Sequence, residues 1–187
     1  MNSAAGTALG APPAWSLAAG EVGKWLVLIS ALLFLVSALA WGLAPKLPRM
    51  PKVGGWSFLL GSVALFGVFG VLATLFVQNR FEYEYVWGHS DTLNSIPYRI
   101  AGVWSGQEGS FLLWACCAAI FGVIAAPRLG EYRRWFTVAY AVFLRAIAGI
   151  LVYESPFELN TLGGQPVVPA DGVGLSPALQ NYWVTIH

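Results

Sequence analysis

The chain alternates long apolar runs with short polar connections. Four runs stand out, Trp25 to Ala44, Gly55 to Val77, Ser110 to Ala126 and Trp135 to Val152. At about 1.5 Å of rise per residue, a helix of about 20 residues covers roughly the 30 Å of a bilayer's hydrocarbon core. The pattern therefore predicts an all-α integral membrane fold with four transmembrane helices. The second run carries Gly61, Gly67 and Gly70, which suit close helix contacts; the third is ended by Pro127; the fourth is interrupted by Arg145. The first run is longer than the apolar region of a cleavable signal peptide, and no basic residue precedes Lys24.

The polar connections are of two kinds. Pro45 to Gly54 holds Lys46, Arg49 and Lys52 with no acid, and Pro127 to Arg134 holds Arg128, Arg133 and Arg134 against Glu131. Basic loops stay on the cytoplasmic side, so both are expected inside. The N-terminus and the segments Gln78 to Gly109 and Tyr153 to His187 are then expected outside, where most of the acids fall. The expected organisation is an outer-face N-terminal segment over 1–24, a four-span domain over 25–152 that includes the outer segment 78–109, and an outer-face segment over 153–187. Within the first outer segment, FEYEYVW alternates acid and aromatic and reads as a short extended or interfacial stretch. Pro97, Tyr98 and Trp104 mark a partly helical return along the membrane surface. The stretch GVWSGQEGSFLLWA, residues 102–115, passes directly from a glycine-rich turn into the third span, bracketed by Trp104 and Trp114 with Glu108 at the threshold. The last segment is turn-rich from Glu154 to Pro177, and Ser176-Pro177 reads as the start of a short terminal helix.

Composition agrees with the membrane reading. Hydrophobic residues make up 57% of the chain and charged residues only 10%, against about 25% charged in an ordinary soluble domain. A net charge of +1 gives nucleic acid no electrostatic footing. The two cysteines are adjacent, Cys116 and Cys117, within an apolar run. They form neither the CxxC spacing of a redox motif nor the CxxCH of covalent haem attachment, and read as small residues at a helix contact.

Three motifs in order carry a resemblance. HSDTLNSIPYRIAGVWSGQEGSFLLW, ESPFELN and DGVGLSPALQNYWVTIH together resemble the signature of the CcmF family, the haem lyases of cytochrome c-type biogenesis. The likeness runs co-linearly from about Tyr85 to His187, while the first two spans agree in number and direction only. Members of that family are longer, with further spans and a tryptophan-rich outer segment. The resemblance therefore implies that this chain is the N-terminal part of a haem lyase, inactive by itself.

What the resemblance implies is a protein of the bacterial inner membrane whose active face lies outside the cytoplasm. It would receive haem from a periplasmic haem chaperone and present it to apocytochrome c, alongside other cytochrome c maturation membrane proteins and in contact with membrane lipid. The cofactor implied is a b-type, non-covalent haem in the full-length protein. His187 maps onto a family histidine that is an axial ligand of haem iron, a role neutral imidazole suits. His89, Trp104, Glu108 and Arg145 are candidates for haem handling or for structural roles, and no catalytic residue is assigned. His89 reads as a hydrogen-bonding residue, and Glu108 as a carboxylate facing the dipole of the third span. Arg145, at a position that is apolar in the family, could meet a haem propionate or pair with another span. A membrane transporter or a structural subunit without haem chemistry is the alternative, although the four runs are continuous where transporter spans are usually broken.

Overall fold

The computed structural model describes residues 11–175. Four of its helices are long and apolar enough to cross a membrane. They are α1 (Ala14–Leu43), α2 (Met50–Val77), α5 (Gln107–Ala125, extended by a 3-10 turn at Ala126–Arg128) and α6 (Arg133–Tyr153). Two short helices, α3 (Glu84–His89) and α4 (Ile96–Gly102), fill the longer connection. The strands β1 (Thr161–Leu162) and β2 (Gln165–Pro166) form a small antiparallel hairpin with Leu162 opposite Gln165.

Each predicted span is present, and each helix begins before its apolar run. Helix α1 starts at Ala14 rather than Trp25, because Ser16, Glu21 and Lys24 interrupt the apolar run without interrupting helix propensity. Helix α2 starts at Met50, with Pro51 in its first turn, where a missing backbone donor costs nothing. Its end is a Schellman motif. Asn79 takes a left-handed φ of 50°, its amide donates to Phe76 O at 3.0 Å, and the Arg80 amide donates to Leu75 O at 3.0 Å. The FEYEYVW stretch begins as a turn, closed by Tyr83 N donating to Arg80 O at 3.2 Å, and is extended only at Tyr83. Tyr83 pairs with Leu159 in an antiparallel bridge, and Glu84 then opens a helix whose first-turn acid faces the positive dipole end. The partly helical return expected around Pro97 is α4, with Pro97 in its first turn.

The described residues fall into two compact units. One is drawn from 24–69 and 111–154 and is a helix bundle. There Phe34 meets Phe58 edge to face at 5.4 Å, Ser37 Oγ donates to Gly54 O at 2.8 Å, and Gly61 lies against Leu33 and Phe34. Cys116 is buried with its Sγ 3.8 Å from Leu65 O, whereas Cys117 is exposed. The buried serine matters here, because its hydroxyl is satisfied by helix carbonyl and leaves no orphan donor in an apolar medium. The other unit is drawn from 11–23, 70–110 and 155–175, and contains most of the described residues of all three motifs, with Phe111 to Trp114 and Glu154 falling in the bundle unit.

Candidate functional site

The motif-bearing unit is organised around Tyr85. Its phenol oxygen accepts from the amides of Gly106 and Gly109, at 3.1 and 3.2 Å, and donates to Val103 O at 3.1 Å. One buried hydroxyl thus satisfies the turn between α4 and α5, including one of the amides that a helix start leaves unpaired. Burial pushes the phenol well above its ordinary value, so it stays protonated and able to donate. Phe76 packs edge-on against the Tyr85 ring at 5.6 Å.

His89 lies one helical turn further on, and its ring rests on Tyr85 with centroids 4.5 Å apart. Its Nδ1 is 2.9 Å from Tyr85 O, a contact that requires the proton on Nδ1. The remaining nitrogen faces Gly106 so closely that a Cβ there would lie 2.6 Å from Nε2. The nitrogen that would bind a metal is therefore packed against backbone.

The other two motifs close on the same elements. In ESPFELN, Phe157 packs edge-on against Tyr83 with centroids 6.5 Å apart. The backbone of this motif pairs with residues 82–84: Glu84 N donates to Glu158 O at 2.9 Å, and Asn160 N to Glu82 O at 2.7 Å. The Asn160 side-chain amide adds a bond to Phe81 O at 2.8 Å. In DGVG, Val173 N donates to Trp87 O at 2.8 Å and Gly174 N to Ser90 O at 3.1 Å, covering carbonyls at the end of α3. Trp87 Nε1 donates to Asp171 O at 3.1 Å. Arg99 ties the remaining loop down through Asn94 O, Thr92 O and Val77 O.

Asp171 gives this docking a pH dependence. Desolvation pushes its carboxyl up, but bonds from the Thr92 amide and hydroxyl, each 2.9 Å, and from the Gly172 amide at 2.8 Å outweigh it, leaving the value below that of an ordinary aspartate. A depressed carboxylate stabilises fully above its unfolded value, about 3.9, and ceases to do so as pH falls through the lower folded value. Hydrogen exchange at the Thr92 amide is expected to stay protected down to about pH 4 and to lose protection below it. Asp171→Asn should remove that acid step.

Sequence reading missed a buried acid. Glu82 is 0% exposed; Ser16 Oγ donates to its Oε1, and Arg80 Nε lies 3.9 Å from the same oxygen. Arg80 in turn covers the Trp15 ring at 5.4 Å. The alternation of FEYEYVW contains this residue, but nothing local to it marks Ser16 as its partner.

The expected site residues are thus unevenly placed. His89, Trp104 and Glu108 all belong to the motif-bearing unit. Trp104 is half-buried and its carbonyl accepts from Ser110 Oγ at 3.0 Å, while Glu108 stands in the first turn of α5. Arg145 is exposed on α6, in the bundle unit, with no hydrogen-bond or ion-pair partner among the described residues. His187 and the terminal helix expected after Ser176 lie outside the described residues. Among the described residues, no group of three His, Cys, Asp or Glu side chains gathers as metal ligands. His89 is hydrogen-bonded through Nδ1 alone, and its Nε2 lies beside Gly106, so these side chains fasten the turn between α4 and α5.

Four helices of spanning length and a unit of interlocked connecting segments define a polytopic membrane protein. No protein-family model matches the chain. By sequence it is 34% identical over 178 residues to the cytochrome c-type biogenesis protein CcmF of Escherichia coli, an alignment covering 89% of this chain and 26% of that protein. It is 27% identical over 186 residues to the cytochrome c-type biogenesis protein CycK of Rhizobium meliloti, covering 89% of this chain and 25% of the relative. A solved structure titled Cytochrome c Heme Lyase CcmF shares the fold, with a TM-score of 0.68 and 17% identity over 75% of this chain and 25% of that one. The chain is a relative of the CcmF family of cytochrome c-type biogenesis proteins, and it spans about a quarter of their length.

Proposed function

We propose that the chain works in cytochrome c-type biogenesis, as the part of a haem lyase that holds the outer-face loops in place while haem is delivered to apocytochrome c. The observation that carries this reading is the convergence of the three motifs on one unit, through Tyr85, the Tyr83–Leu159 bridge and the Asp171–Thr92 bonds. Separate structural roles would not require motifs so distant in sequence to share hydrogen bonds. The relatives' names supply the process, and the chemistry of the residues supplies the division of labour. His89, held by Tyr85 O and Gly106, orients the turn, and iron ligation falls to His187 with ligands from the rest of a longer protein.

The unit with the motifs faces the outside of a bacterial inner membrane in this reading. Both basic connections, after α1 and after α5, belong to the bundle unit, and the positive-inside rule directs them to the cytoplasm. A periplasmic haem chaperone and apocytochrome c are then the partners of the opposite face. Haem is held there without a covalent bond, and its vinyl groups supply the sites at which cysteine thiols form thioethers.

The test is a chimera in which this chain replaces the matching region of the Escherichia coli relative, with holocytochrome c read by haem staining. The chimera is expected to sustain maturation, His187→Ala to lower it at least tenfold, and His89→Ala to lower it less than threefold. A chimera that inserts at normal levels but makes no holocytochrome overturns the proposal. A His187→Ala form as active as its parent overturns the ligand assignment.

A further inference from the structure

A cavity of about 400 Å³ lies within the bundle unit, where α1 ends and where α2 and α6 begin. Its walls are aromatic and apolar, with Trp41, Trp56 and Phe58 prominent, and Lys52 and Arg133 also line it. The Arg133 guanidinium lies over the Trp41 ring at 5.0 Å. It has no hydrogen-bond or ion-pair partner among the described residues, nor has Lys52. Two buried donors at the same wall are likewise without acceptors, Arg133 Nε and Trp41 Nε1, although Trp41 is only 6% exposed.

The neighbouring cations are accounted for differently. Arg134 donates to Trp41 O and Gly42 O, at 3.2 and 3.1 Å, and Arg128 donates to Ile124 O. These arginines neutralise the negative ends of α1 and α5. The positive ends of α2 and α6 remain, together with two cations that lack anions. Glu131, the acid of the adjacent turn, is exposed and does not line the cavity. The balance of charge at this apolar hollow is therefore positive and unmatched.

We propose that the cavity binds the headgroup of an anionic phospholipid, with the phosphate between Lys52 and Arg133 and the acyl chains against the tryptophan and phenylalanine rings. Basic pockets between transmembrane helices take such headgroups because a phosphate satisfies charge and donors together, while the aromatic wall replaces lipid contact. Inorganic phosphate shares the headgroup's charge but lacks the chains that the aromatic wall would cover.

The full chain, purified in an uncharged detergent, is titrated with phosphatidylglycerol or phosphatidylcholine, with and without inorganic phosphate, and bound lipid is counted by native mass spectrometry. One phosphatidylglycerol is expected to bind at least tenfold more tightly than phosphatidylcholine and to resist equimolar phosphate. The double variant Lys52→Gln, Arg133→Gln should lose that preference, whereas Lys46→Gln, Arg49→Gln, which removes equal charge outside the cavity, should keep it. Gly55→Leu keeps both cations and enters open space in the cavity wall, so it should weaken phosphatidylglycerol binding by steric filling alone. Equal binding of the two lipids, equal loss in both double variants, displacement by equimolar phosphate, or full binding by Gly55→Leu would each overturn the assignment.

Discussion

Gly109→Ala is expected to be among the most damaging single changes in the chain. A Cβ at this position would lie 1.7 Å from Val103 O and 2.3 Å from Tyr85 Oη. Neither neighbour can withdraw cheaply, because the first is backbone and the second is fixed by three hydrogen bonds. Relieving the clash separates α5 from Tyr85 and leaves buried donors unpaired, each costing about 1–3 kcal/mol. The expected loss of stability is about 4 kcal/mol. Thermal unfolding in detergent should show it against Gly88→Ala, which meets no neighbour within 4 Å. An unfolding midpoint equal to that of the Gly88→Ala protein would contradict the packing described for this turn.

The second large effect is expected from Gly172→Ala, and it should be local. The added Cβ would lie 1.9 Å from Ser90 O and 2.9 Å from Trp87 O. The DGVG backbone could no longer approach the end of α3, and the bonds from Val173 N and Gly174 N would be lost together. A cost of about 3 kcal/mol corresponds to roughly a hundredfold faster exchange at those two amides. Far-ultraviolet circular dichroism should change little, since the four long helices make none of these bonds. Unchanged exchange would show that the segment tolerates a side chain at this contact.

These two glycines mark the boundary of what the sequence makes legible. The spans could be read because apolar length is a local property, and each of the four runs falls on a helix long and apolar enough to cross a membrane, the first overrunning its helix only at Ala44. The partly helical return marked by Pro97 was likewise local, and it is α4. The interlocked unit is another matter. Trp87 reaches a partner 84 positions away, Asn160 one 79 positions away, and Ser16 meets Glu82 across 66 positions. No periodicity encodes such pairs. FEYEYVW looked extended because alternation is a two-residue signal, yet backbone bonds to residues 158–160 end the extended part at Tyr83 and leave Glu84 free to start a helix. Family resemblance reached Tyr85 only as the edge of the matching stretch and gave no role to the residue to which the WSGQEG turn is bonded.

The bridge between Tyr83 and Leu159 also sets an order of events during synthesis. Its first strand leaves the ribosome well before its second, and α5 and α6 must be made in between. Until then the Glu84 amide and the Glu82 carbonyl wait for water or a chaperone to occupy them. That bridge can therefore close only after α5 and α6 have been made. A chain in which either helix is displaced would leave the Glu84 amide and the Glu82 carbonyl without these backbone partners.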